Sequence, residues 1–184
     1  LSGLSGVIST DVATERAWVW AGTPIHALGR PLHEAGLALA NQGDIDRQAI
    51  GGATATGTHG TGRTLRNLSS AVVGARVALA SGELVDVSAT ERPELFPAIR
   101  LNLGAVGIVT RLELQLRAAY RLRERGFVAP LGEVLDRRDE LTAANRHAEL
   151  FWYPTRDRAV VKVIDETDDE PEYPIGPEGG RCAW

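Results

Sequence analysis

Residues 51 to 62 read Gly51-Gly52-Ala53-Thr54-Ala55-Thr56-Gly57-Thr58-His59-Gly60-Thr61-Gly62, with five glycines, four threonines, two alanines and one histidine. No charge and no bulky apolar side chain interrupts the run, so it packs poorly as a core element. It suits a backbone that passes very close to something else, because glycine removes the Cβ and permits positive φ. Successive N–H groups in such a turn converge into an anion-binding nest, and threonine hydroxyls add donors and acceptors beside them. The stretch therefore reads as a loop that holds the phosphates and the polar ring edge of a nucleotide. The competing reading is a tight turn that needs glycine only for its conformation.

The rest of the chain narrows the partners. Twenty basic and 24 acidic side chains leave a formal charge of −4, which creates no field for nucleic acid or an anionic membrane. Lys162 is the only lysine, and arginine carries the remaining positive charge. Cys182 is the only cysteine, so no internal disulfide forms, which fits a reducing compartment and a cytoplasmic location. No run approaches the apolar length of a membrane span and no secretory signal is visible, although membrane association of a parent protein stays open. His26 and His33 share a helix but stand two turns apart, too far to ligate one ion, so no metal site is expected. The chain contains no methionine and starts at Leu1, which suggests that an N-terminal portion is missing.

Along the chain, hairpin-like strands mix with helices, which predicts an α+β fold and not a repeated parallel βαβ pattern. Strands are expected at Leu4–Ser9 and Arg16–Ala21. A helix should follow, with Thr23 as cap, Pro24 at its first position and Ile25, Leu28, Leu32 and Ala35 at helical spacing. A short helical turn, Ile45 to Ile50, would deliver the glycine-rich loop. Ala71–Leu79 and Leu84–Val87 read as a hairpin, and Pro93 opens a helix carrying Leu95, Phe96, Ile99 and Leu103. Ile108 to Leu116 alternates apolar and polar residues almost without fault, as a half-buried strand does. Tyr120–Phe127, Ala148–Tyr153 and Ala159–Ile164 read as strands, with one amphipathic helix at Leu131–Ala144. The last part of the chain turns rich in Asp, Glu, Pro and Gly, the composition of a linker or disordered tail.

The glycines do not follow the dinucleotide order G-x-G-x-x-G; here they run Gly57-x-x-Gly60-x-Gly62. Gly57, Gly62, Arg63 and Thr64 approach the P-loop pattern, but arginine stands where that pattern needs lysine, and no apolar strand precedes it.

Gly43-Asp44-Ile45-Asp46-Arg47-Gln48, followed by the Ala-Thr-Gly-Thr-His-Gly-Thr-Gly of 55–62, resembles the flavin-binding domain of the sugar-lactone and alditol oxidases. These belong to the vanillyl-alcohol-oxidase, PCMH-type superfamily of FAD proteins. Leu103-Gly104-Ala105-Val106-Gly107-Ile108-Val109-Thr110 is similar to that family's second flavin-contacting stretch. Glu149-Leu150-Phe151-Trp152-Tyr153-Pro154 is similar to the start of its substrate domain. The resemblance implies a mainly antiparallel sheet flanked by helices over residues 1–120, the second subdomain of a PCMH-type FAD-binding domain. It further implies the beginning of a substrate domain over 121–165 and a non-homologous or disordered tail over 166–184.

By this resemblance FAD is the cofactor. Thr56, Gly57, Thr58, His59, Gly60, Thr61 and Gly62 would line its diphosphate and isoalloxazine region. Gly52 would allow close approach, and Ile108 and Val109 would present backbone groups. His59 is expected to pack or hydrogen-bond at the cofactor and not to transfer a proton, since no carboxylate lies nearby in sequence to orient it. No catalytic residue is assigned. The implied activity is oxidation of a CH–OH group of a sugar lactone or polyol, as in a D-arabinono-1,4-lactone oxidase, with oxygen or another acceptor taking the electrons. Family members also carry an earlier glycine-containing segment and a longer substrate domain. The chain alone is therefore expected to bind FAD weakly or not at all, without turnover. Ala49 stands where members often have a hydroxyl residue, which leaves substrate preference open. Two alternatives remain: an enzyme similar to the UDP-sugar enolpyruvyl reductases, or a non-catalytic degenerate fragment.

Overall fold

The structure is a computed structural model that describes residues 3–170. They fall into two compact units, one formed by residues 3–60 and 66–119, the other by 61–65 and 120–170.

In the first unit, a five-stranded antiparallel sheet has the order β1-β2-β6-β4-β5. Its strands are β1 (Val7–Asp11), β2 (Arg16–Trp20), β4 (Val72–Ala78), β5 (Leu84–Ser88) and β6 (Ile108–Gln115). A two-residue ladder joins β3 (Leu37–Ala38) to β7 (Arg117–Ala118). The alternation in β6 sets the register. Leu112 lies opposite Val19 of β2 and Ala75 of β4, and Leu114 lies opposite Ala17 and Val72. All six side chains are buried in one core. Ile25, Leu28 and Leu32 of α1 (Ile25–Glu34), Ile50 and Ala53 of α2 (Ile50–Ala55) and Ile99 of α3 (Phe96–Arg100) join the same core. The opposite sheet face is polar and aromatic. There Arg76 pairs with Asp86, Arg111 stands 3.7 Å from the same carboxylate, and the Arg111 guanidinium lies 4.8 Å from the Trp18 ring centre.

Four local expectations are corrected here. Pro24 is the N-cap of α1 and not its first helical residue. The Thr23 hydroxyl does not cap that helix; it donates to Trp20 O at 2.6 Å and accepts from Gly6 N at 2.9 Å. Residues 45–48 are not helical but irregular, because they supply the acceptors that α1 lacks. Ile25 N donates to Gln48 O and His26 N to Asp46 O, both at 3.0 Å. These satisfy two amides that a helix start leaves without intrahelical partners. The helix expected from Pro93 is confined to five residues, α3, with Leu95 at its N-cap.

The second unit is a three-stranded antiparallel sheet in the order β8-β10-β9, formed by β8 (Arg121–Pro130), β9 (His147–Trp152) and β10 (Arg158–Thr167). Its core is thin: Ala129, Val134, Leu141, Ala159, Val161 and Val163. The single helix expected over 131–144 is two, α4 (Leu131–Asp136) and α5 (Arg138–Ala144), separated at Arg137. Val134 and Leu141 reach the core, whereas the apolar Leu135 between them is 51% exposed. The tail expected from residue 166 begins inside β10, which reaches Thr167; its part from 171 lies outside the described residues.

Candidate functional site

The glycine–threonine run is not one loop. Its first part is helix α2, and the loop proper starts after Thr56. Neither glycine, alanine nor threonine forms an apolar stripe, so the helix is imposed by its surroundings. Ile50 N donates to Thr23 O at 2.8 Å and Gly51 N to Ala21 O at 2.9 Å. A Cβ on Gly51 would stand 2.9 Å from both the Cβ and the carbonyl oxygen of Ala21. The first amides of α2 are thus consumed by the chain itself, and Gly51 is small so that the helix can meet the end of β2. Gly52 differs: a Cβ there would meet nothing within 4 Å.

Beyond α2, several groups of the run satisfy one another. Thr56 N donates to Gly52 O, Gly57 N to Thr54 O and Thr58 N to Ala53 O. The Thr56 hydroxyl donates to Gly52 O at 3.0 Å, and that of Thr58 to Gln48 Oε1 at 3.4 Å. His59 is exposed, and its Nδ1 lies 2.9 Å from Gly60 O. That carbonyl can only accept, so Nδ1 carries the proton. No carboxylate among the described residues bonds or pairs with His59, so nothing there prepares it as a general base.

Gly60 is held by the segment just before α2. A Cβ on it would fall 2.1 Å from Gln42 O and 2.5 Å from Asn41 Oδ1. These neighbours have no recognisable signal in the sequence. After this conformational commitment, the backbone N–H groups of His59, Gly60 and Gly62 make no hydrogen bond among the described residues. Unengaged backbone donors in an uncharged, hydroxyl-bearing loop suit a diphosphate.

Of the other expected residues, Ile108 and Val109 open β6 and pair with Ala78 and Val77 of β4. The β2 ladder reaches only Arg111, so the other edge of β6 at 108 and 109 is outside it. Ile108 is 58% exposed, and Val109 turns into the core. The turn before β6 meets the end of α2, where Leu103 N donates to Ala55 O at 3.1 Å. The first unit thus carries Gly52, Thr56, Gly57, Thr58, His59, Gly60, Ile108 and Val109, whereas Thr61 and Gly62 fold with the second. There Thr61 meets His147, 86 residues away, a partner invisible to any local pattern. Among the described residues no group of His, Cys, Asp and Glu could hold a metal ion, and no helix is long and apolar enough to cross a membrane.

The fold matches that of cholesterol oxidase from B. sterolicum, with a TM-score of 0.80 over 92% of this chain and 35% of that one, at 22% identity. Residues 1–88 match the model of the FAD binding domain, and residues 112–180 match that of D-arabinono-1,4-lactone oxidase. The L-gulono-1,4-lactone dehydrogenase of Mycobacterium tuberculosis is 36% identical over 94% of this chain and 40% of that protein. The D-arabinono-1,4-lactone oxidase of Yarrowia lipolytica is 34% identical over 83% of this chain and 28% of that protein. The chain belongs to the PCMH-type FAD-binding oxidoreductases, in their sugar-lactone oxidase branch. It spans less than half the length of these two relatives.

Proposed function

We propose that the protein carrying this chain oxidises a CH–OH group of a sugar lactone or related polyol with FAD. The first unit is assigned as part of the FAD-binding domain and the second as the start of the substrate domain. The observation that carries the reading is the set of unengaged N–H groups at His59, Gly60 and Gly62, in a domain of the FAD-binding family. FAD held there would supply the hydride acceptor for the carbinol carbon and the route for its electrons to oxygen or another acceptor.

The chain's own groups bind and orient. The N–H groups of His59, Gly60 and Gly62 donate to anionic oxygens. Gly52, with no side chain and open space before its Cα, admits close approach. Gly57 and the hydroxyls of Thr56, Thr58 and Thr61 complete the loop. Ile108 and Val109 offer backbone groups from the edge of β6 that β2 leaves uncovered. His59 works as an orienting group through its neighbour's carbonyl, not as a proton acceptor. The match of residues 112–180 to the lactone oxidase model favours lactones over an enolpyruvyl substrate. The single cysteine is in keeping with a reducing compartment such as the cytoplasm.

An absorbance spectrum of the whole protein, followed by addition of sugar lactones and alditols, tests the proposal. A flavin spectrum bleached by a lactone is the expected result. A protein that takes up no flavin, or a bound flavin reduced by none of these compounds, would refute it.

A further inference from the structure

We propose that His147 is a positioning residue for the far end of the cofactor loop, its Nδ1–H fixing Thr61 and, through it, Gly62. His147 opens β9 and is 8% exposed. Its Nδ1 lies 3.1 Å from Thr61 O and 3.2 Å from Thr61 Oγ1. The carbonyl can only accept, so the ring carries its proton on Nδ1 and the hydroxyl oxygen shares the same donor. The other neutral tautomer would set a lone pair against the carbonyl oxygen.

The next residue fits the same base. Gly62 has φ +108°, and a Cβ on it would fall 2.7 Å from Arg146 O. Residues 61 and 62 therefore rest on residues 146 and 147 as consecutive pairs. That base is itself fixed. Arg146 N donates to Asp165 Oδ1 at 2.8 Å, its guanidinium bonds Glu166 at 2.8 Å, and it stacks 5.0 Å from the Tyr120 ring centre. Burial and the adjacent Arg146 charge lower the pKa of His147, against weaker opposing pulls from the Thr61 carbonyl, Glu149 and Asp165, so the neutral ring is favoured. Near neutral pH such a neutral, buried donor acts as a rigid peg.

The anchor stands on this geometry alone; its consequence for the cofactor rests on the FAD reading above. Three measurements separate the two. In the unmodified chain, imidazole nitrogen NMR should show the Nδ1–H tautomer, and an Nε2–H tautomer would overturn the proposal. Amide exchange at Leu65, whose N–H bonds Gly62 O at 3.2 Å, should quicken about tenfold in His147→Phe, as loss of one hydrogen bond implies. His147→Asn, whose amide nitrogen can take the place of Nδ1, should restore it, and His147→Gln should not. Equal exchange in the wild type and all three variants would overturn the anchor.

In the whole protein, FAD should bind about tenfold more weakly to His147→Phe, with recovery in His147→Asn, again the equivalent of one hydrogen bond. Tight FAD binding unaffected by any variant would overturn the positioning role and leave the FAD reading intact. No FAD binding even by the wild type, with the tautomer and exchange results as expected, would sink the FAD reading and uphold the anchor.

Discussion

The two units solve the same packing problem with different means. In the first, five strands and three helices converge on a continuous aliphatic core, and Leu28, Leu114 and Val19 are fully buried. In the second, two of the six core residues are alanines, and the sheet leaves Val128, Phe151 and Val160 exposed. Ion pairs stand where apolar volume is short, with Lys162 2.7 Å from Glu149 and Arg125 2.7 Å from Asp165. Apolar burial stabilises by roughly 25 cal/mol per Å², whereas exposed ion pairs contribute about 0–1 kcal/mol. The first unit is therefore the firm scaffold, and the second depends more on directional contacts such as that of His147.

Core truncation should show the largest difference. Leu28→Ala should cost about 4 kcal/mol in the first unit and Leu141→Ala about 2 kcal/mol in the second, because a thin, partly open core relaxes around the smaller residue. Urea unfolding of both variants checks this, and equal losses would erase the contrast. The loop glycines give the next test. Gly60→Ala forces a Cβ into Gln42 O and should cost about 2–3 kcal/mol by overpacking. Gly52→Ala meets nothing and sits in a helix, so it should stabilise by about 0.5–1 kcal/mol while weakening FAD. Gly52→Ala that leaves FAD affinity unchanged would remove this residue from the cofactor site.

Acid should affect the second unit through His147. Its folded pKa is lowered from 6.5, so the unfolded chain binds the proton more readily. The contribution is complete above about pH 6.5 and is lost as the pH falls below it. Exchange at Leu65 followed from pH 7.5 to 5.5 should slow less than the intrinsic pH effect requires in the wild type, and follow the intrinsic effect in His147→Asn. The smallest effect belongs to Asp86. Arg76 holds its carboxyl below the usual value of 3.8, and the pair is one-third exposed. Asp86→Asn should therefore cost no more than about 1 kcal/mol near neutral pH. In the wild type that contribution is lost as the pH falls below about 4.

Elements with strong local periodicity are legible in the sequence. Strand β6 follows its alternation, and α1 follows the spacing of Ile25, Leu28 and Leu32. Helix α2 is not legible, because Gly51 to Ala55 carry no stripe; Ala21 and Thr23 impose it by accepting its first amides. Residues 45–48 give up helicity to satisfy α1. The candidate site divides along the same line. Its residue types stand out in the sequence, but the sequence does not reveal that Gly51 and Gly60 are small for the chain's own packing. Nor does it reveal the pairing of Thr61 with His147, because both depend on partners distant along the chain.

Amide hydrogen exchange of the whole protein, with and without FAD, bears most directly on the central claim. If the loop holds the cofactor through its backbone, the N–H groups of His59, Gly60 and Gly62 become protected when FAD binds, while that of Gly51, already bonded to Ala21, does not change. FAD bound with the exchange of His59, Gly60 and Gly62 unaltered would contradict it.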